Sequence, residues 1–327
     1  MKKFFFLLLA TLSVLCMSAV RSMNYSLAGL EGRNTKGIEE IKAIIFDMDG
    51  VLRCSYNPLK GASEIIDWMS SKGIPGVILT NECRYTPLTI YEDLRSMGIP
   101  IPATWPIYTS ALAVRDFFET QNVSNGDIHV FVVGEEGVKD AVGQVKRKNF
   151  RVCTALPKDQ DINDEKFVVF GAVDRINISD LESAAAWINS GAKVITTCPD
   201  ISDPSSKGAI LVGMPGHMVH MIKMHAPCNP YSLGKPHPFM MRKAMEHLMQ
   251  GNPEIKREEI LFVGDSIDTD IRLAFEHGVK SALVLTGNTR IEGINAHVIK
   301  PDYVFTSVKE LWRVLNSENR EIAKKKL

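Results

Sequence analysis

No charge of either sign predominates: 38 Lys and Arg stand against 38 Asp and Glu in 327 residues. With no basic stripe, nucleic acid is excluded as an expected partner. Charged tails are missing too, apart from the short Lys324-Lys325-Lys326 end, which reads as a solvated terminus. Cysteine is scarce. Beyond Cys16 there are only Cys54, Cys83, Cys153, Cys198 and Cys228, without C-x-x-C spacing. That odd set argues against a disulfide framework and for free thiols packed as small apolar groups. Internal repeats and low-complexity tracts are also lacking, so the chain is not read as an array of small units.

Long apolar runs are confined to the first 22 residues. MKKFFFLLLATLSVLCMSAVRS carries two lysines and then an uncharged stretch from Phe4 to Val20. A basic start followed by a short apolar run is the form of a secretory signal. The run is at the bottom of the length that spans a bilayer, which leaves an uncleaved anchor as the competing reading. Residues 1–22 are therefore expected to be a signal peptide, cleaved after Ser22 or Ala19, and 23–36 a polar linker. The expected location is exported, with membrane-anchored or cytoplasmic as alternatives, and no stable membrane span remains once the signal is removed.

What is present is a globular composition, 45% hydrophobic and 23% charged, long enough for two packed domains. Strand-like apolar runs alternate with helical patterns, which predicts an α/β fold with a mostly parallel, doubly wound, Rossmann-like sheet. KAIIF (42–46), GVILTN (76–81), EILFVGD (259–265) and SALVLTG (281–287) read as strands. The middle has its own alternation, IHVFVVG (128–134), KFVVFGA (166–172) and KVITTCP (193–199). A helix is expected over 179–191, with Ser179 and Glu182 as a capping box and Gly191 as its stop.

Four short stretches carry the chemistry: Asp47-Met48-Asp49-Gly50, Thr80-Asn81, Gly234-Lys235-Pro236, and Gly264-Asp265 with Asp268 and Asp270. Three of them end strands, where open parallel sheets build their sites. Facing carboxylates repel by on the order of 4 kcal/mol per pair at 4 Å in a medium of effective dielectric near 20. A hard divalent cation such as magnesium removes that penalty and takes oxygen ligands together with a substrate phosphate. The phosphate brings its own charge, for which Lys235, the Thr80 hydroxyl and turn amides are suited. Gly50 would let backbone approach closely. An aspartate nucleophile would split one hard displacement into two easier ones.

This ordered set resembles the haloacid dehalogenase-like phosphatases, over residues 40 to 320. The resemblance implies Asp47 as nucleophile and Asp49 as general acid and then base. It implies magnesium held by Asp47, the Asp49 carbonyl and Asp265. Thr80, Asn81 and Lys235 would bind the phosphoryl group, with Asp268 and Asp270 supporting the metal and Lys235 from behind. Asp268 could equally cap the helix that follows it.

Asp47 and Thr80 are 33 residues apart, too few for a cap domain, whereas Thr80 and Lys235 are 155 apart. A large α/β cap in the second position resembles the class IIA branch, which includes 4-nitrophenyl phosphatases, phosphoglycolate phosphatases and ribonucleotide monophosphatases. VILTN (77–81), GKPHP (234–238) and the stretch 171–200 agree, although Cys198 stands where that branch often has Asn. The expected core is 37–121 with 230–327, and the inserted α/β cap is 122–229. A homodimer through the cap is also implied.

The expected function is thus a magnesium-dependent phosphatase acting on a small phosphorylated metabolite through an aspartyl-phosphate. The alternatives are a phosphotransferase with the same intermediate or a non-hydrolytic phospho-accepting or binding protein. Receiver domains combine similar residues, but they need only about 120 residues and lack an acid two positions after the nucleophile. His217, His220 and His225 invite a metal reading, but ordinary histidines on a cap helix account for them more simply.

Overall fold

The computed structural model describes residues 37–120, 126–157, 163–201 and 212–325. The expected signal peptide and linker lie outside these residues. No helix among the described residues is long and apolar enough to cross a membrane.

A six-stranded parallel sheet carries the first unit. Its strands are β1 (Ala43–Phe46), β4 (Gly76–Thr80), β5 (Ile107–Thr109), β11 (Ile260–Gly264), β12 (Lys280–Val284) and β13 (Tyr303–Phe305), ordered β13-β12-β11-β1-β4-β5. Every residue of β1, β4 and β11 is buried, as expected where helices cover both faces. Successive residues feed opposite layers. Ile45, Leu79 and Phe262 pack with the helices α3 (Ser110–Thr120) and α7 (Pro238–Gly251), whereas Phe46, Ile78 and Val263 pack with α1 (Ala62–Lys72) and α10 (Val308–Lys325).

The order places β1 between β11 and β4, with Phe46 level with Val263 on one side and Ile78 on the other. The chain leaves β1 where the winding reverses, which opens a crevice beyond the strand ends. A two-residue hairpin, β2 (Arg53–Cys54) and β3 (Asn57–Pro58), stands next to it.

A second parallel sheet comprises β6 (Ile128–Val133), β7 (Phe150–Val152), β8 (Glu165–Phe170), β9 (Lys193–Thr196) and β10 (Tyr231–Ser232), in the order β10-β9-β8-β6-β7. The expected break between residues 229 and 230 falls just before β10. That strand hydrogen-bonds to β9, so the second sheet reaches Ser232. One face of this sheet, through Val130, Phe167 and Ile195, joins the same hydrophobic cluster as Ile45 and Met240. The other face packs Phe131, Val168 and Phe170 around the buried Trp187 of α5 (Ile178–Asn189) and against α6 (Pro215–Lys223).

The capping box expected at Ser179 does not form. The cap is Asn177, whose side chain accepts the Ser179 amide at 3.1 Å. An Asn two residues upstream reaches that amide directly. Gly191 does stop the helix, at φ 93°.

Candidate active site

The site is assembled from loops that leave β1, β4 and β11, with Lys235 brought in from the connection after β10. Asp47 follows β1 directly, and its amide continues the ladder to the Val263 carbonyl at 2.8 Å. Its Oδ1 accepts from the Met48 amide at 2.7 Å and from the Lys235 ammonium at 2.6 Å. Lys235 also pairs with Asp270 at 2.8 Å and is 2% exposed. Its ammonium lies 5.8 Å from the centre of the Phe262 ring. Burial opposes its charge, yet Asp270 and Asp47 hold it above the ordinary lysine value.

Asp265 ends β11 and is fully buried, with Oδ2 accepting the Asn288 amide at 2.6 Å. Asp47, Asp265 and Asp270 each offer a carboxylate oxygen, all within 4.8 Å of one another. Asp270 turns its Oδ2 to the Asp265 and Ser266 amides, both at 3.1 Å, and its Oδ1 to Lys235. Burial raises the Asp47 carboxyl to about 7 against the pull of Lys235. Burial, then Asp47 and Asp270, push Asp265 well above the carboxylate range.

Gly50 has φ +83°, and a methyl group there would stand 2.5 Å from the Asp265 Oδ2. Both the left-handed backbone and the carboxylate demand glycine. Gly50→Ala is expected to lose about 2 kcal/mol or more of stability, because strain and overlap add. Thermal unfolding of the variant checks this; an unchanged midpoint would count against so tight a contact.

Asp49 lies beside one buried cation, Arg53, rather than in the carboxylate cluster. Its Oδ1 accepts from Arg53 Nε at 3.0 Å. Arg53 is 4% exposed and approaches Glu82 at 3.9 Å. Glu82 is gripped by Arg84 at 2.8 and 3.1 Å, and Arg84 reaches Asp174, in the loop after β8 of the second sheet, at 3.5 Å. Burial alone would raise Glu82, but Arg84 and Arg53 hold it below its ordinary value. For Asp49 burial wins over Arg53 and the carboxyl is raised.

Thr80 is buried, its hydroxyl oxygen accepting the Glu82 amide at 3.0 Å. Asn81 joins three parts of the chain. Its Oδ1 accepts the Lys235 amide at 2.7 Å, and its amide group donates to Asp200 at 2.8 Å and to the Lys235 carbonyl at 3.2 Å.

The structure thus brings Asp47, Thr80, Asn81, Lys235, Asp265 and Asp270 together, with Asp49 beside them. Asp268 lines the same cavity but lies outside the carboxylate cluster: its side chain is 83% exposed and faces His297 at 3.5 Å. The helical turn begins at Ile267 after Ser266, so Asp268 is not its cap. His217, His220 and His225 take no part in the carboxylate cluster.

Sequence reasoning missed Arg53, Glu82, Arg84 and Asp200. The first is four residues from Asp49 and the second follows Asn81, so closeness to the motifs was the available signal. Asp200 closes the stretch 171–200, where the sequence offers a family resemblance but no role for the last residue. All four line a cavity of about 980 Å³, along with Tyr56, Tyr85, Met214 and His237. The cavity extends from Asp47, Asp49 and Asp265 to the loops after β8 and β9, at Ala172 and Cys198 to Ile201.

Two family models match the chain, a haloacid dehalogenase-like hydrolase over residues 44–147 and an HAD-hydrolase-like family over residues 232–311. An acid sugar phosphatase of Staphylococcus aureus is 29% identical over 84% of this chain and 97% of its own. Among solved structures, a hypothetical protein from Pyrococcus horikoshii OT3 is 31% identical, with a TM-score of 0.68 over 84% of this chain and 100% of its own. A 4-nitrophenylphosphatase from Thermotoga maritima is 25% identical, with a TM-score of 0.70 over 85% of this chain and 99% of its own.

Proposed function

The chain belongs to the haloacid dehalogenase-like hydrolases, and from that we propose that it is a magnesium-dependent phosphatase of small phosphomonoesters, working through an aspartyl-phosphate on Asp47. The arrangement that carries the reading is the Lys235–Asp47 contact of 2.6 Å beside a second buried carboxylate, Asp265, at the end of the neighbouring strand. A nucleophile, a phosphate-binding cation and an oxygen ligand for a metal lie within one small volume.

The three carboxylates suit a hard divalent ion, since only oxygen donors converge there. Asp47 and Asp265 would hold it, with the Asp49 carbonyl as the family implies. Asp270, whose two oxygens already serve Lys235 and the turn amides, would instead position Lys235. Bound magnesium would offset the carboxylate repulsion and neutralise charge on the phosphoryl oxygens.

Asp47 Oδ1 accepts from Lys235 and Met48 and is the oxygen that would also meet the metal, which leaves Oδ2 to attack phosphorus. As that bond forms, the bond to the leaving oxygen breaks and Asp49 supplies the proton. Asp49 then takes a proton from water, whose oxygen displaces Asp47 and yields inorganic phosphate. A carboxyl raised by burial holds its proton more readily than an ordinary aspartate, as a general acid must. Thr80, Asn81 and Lys235 would bind the phosphoryl oxygens. The residues from the second sheet would close over the leaving group, the cap role expected of 122–229. The cavity is the size of a small metabolite, and the acid sugar phosphatase and 4-nitrophenylphosphatase relatives point to sugar and aryl phosphates as first substrates.

Phosphate release from 4-nitrophenyl phosphate and a panel of sugar phosphates tests the reading. Release should require magnesium and stop with EDTA. A folded protein that releases nothing from any of them in magnesium would sink hydrolysis as the function.

Asp47, at about 7, and Asp265 have folded values above the unfolded ~3.9. Their contribution to stability is complete below about pH 4 and is lost as pH rises towards 7. Magnesium needs the same carboxylates ionised. The rise in melting temperature with added magnesium should therefore be larger at pH 7.5 than at pH 5; equal rises would show that the ion binds elsewhere.

A further inference from the structure

A second cluster of reactive groups lies in the second sheet, on the face that carries Trp187 rather than in the cavity. His129 of β6, Cys153 after β7 and Asp164 before β8 meet across three neighbouring strands, and none of them lines the cavity. The Cys153 sulfur is 3.7 Å from His129 Nδ1, and His129 Nε2 is 3.3 Å from the Asp164 carboxylate. Asp164 is itself anchored, its Oδ1 accepting the Asp127 amide at 2.9 Å. One tautomer satisfies both contacts: Nε2 carries the proton and donates to Asp164, while Nδ1 is free to accept from the thiol.

Nucleophile, base and orienting carboxylate in series is the arrangement that activates a thiol. We propose that Cys153, His129 and Asp164 form a reactive-thiol site whose ligand is a low-molecular-weight disulfide. His129 Nδ1 takes the thiol proton, and Asp164 stabilises the imidazolium. The Cys153 sulfur attacks one sulfur of the disulfide, and the S–S bond breaks. The other half leaves as a thiolate and takes the proton back from His129. The products are a mixed disulfide on Cys153 and one free thiol, with no further oxidant required.

Two features oppose the assignment. The Arg151 carbonyl, also 3.7 Å from the sulfur, competes for the thiol proton. Partial burial also pushes this thiol up. Proton transfer to His129 has to outweigh both. Cys54 and Cys228 are free thiols of similar burial, with no histidine bonded to the sulfur among the described residues, and so serve as references.

The test treats the folded full-length protein with oxidised glutathione at neutral pH and follows each cysteine by peptide mass spectrometry. Cys153 should form the adduct about tenfold or more faster than Cys54 and Cys228. His129→Gln and, separately, Asp164→Asn should bring it down to their rate while leaving theirs unchanged. A Cys153 rate equal to the references, or one indifferent to His129→Gln, overturns the proposal. If His129→Gln disturbs the fold, the reference thiols speed up too, and the wild-type ratio alone decides. Phosphatase activity does not enter the readout, so the site stands or falls apart from the function proposed above.

Discussion

Asp47→Asn should abolish phosphate release while leaving the fold intact. The amide has the shape of the carboxylate but cannot attack phosphorus, and losses on removing a catalytic nucleophile run to roughly four to six orders of magnitude. The fold should tolerate the change because Lys235 keeps Asp270 at 2.8 Å. The exchange also removes a carboxylate that burial already disfavours above about pH 7. Initial rates at saturating magnesium, set beside a thermal melt of the same sample, separate the two effects. Residual activity within tenfold of the parent would mean that another group attacks phosphorus, and the assignment of Asp47 would be wrong.

Lys235→Met should damage both activity and stability. The ammonium is buried and balances Asp47 at 2.6 Å and Asp270 at 2.8 Å. Methionine fills similar volume but leaves two carboxylates uncompensated away from water. Breaking a buried pair in this way costs about 3–5 kcal/mol, which lowers the melting temperature by on the order of 10 °C in a domain of this size. If Lys235 binds the transferring phosphoryl group as proposed, its loss should also reduce kcat/KM by about two to three orders of magnitude. Magnesium should restore part of the stability, since it supplies positive charge to the same carboxylates, but little of the activity. A variant as stable as the parent in EDTA would contradict the charge balance described here.

Much of the core was legible because its signals are local. Fully apolar runs such as AIIF and ILFVG mark strands covered on both sides, and the acidic residues that follow them stand where such strands end. Four strands of the six-stranded sheet, β1, β4, β11 and β12, and the positions of Asp47, Thr80 and Asp265 follow from that pattern. The helix over 179–191 was legible as a helix but not in its cap, since Asn177 and Ser179 both suit that position and only geometry selects one. Asp268 and Asp270 were alike in sequence, two residues apart in one helical turn. That turn sends Asp270 inward to Lys235 and leaves Asp268 at the surface.

The sequence by itself determined the order of the candidate site residues, the strands that present them and the class of chemistry they would support, because hydrophobic period and turn residues act over a few positions. Tertiary structure alone decided which distant side chains complete the site. Asn81 meets Asp200, 119 residues away, and the Lys235 amide, 154 away. Arg84 ties Glu82 to Asp174, and His129 sits between Cys153 and Asp164. Such contacts depend on how strands pair within a sheet and how the two sheets pack, and those arrangements are settled by the burial of side chains from the whole chain at once.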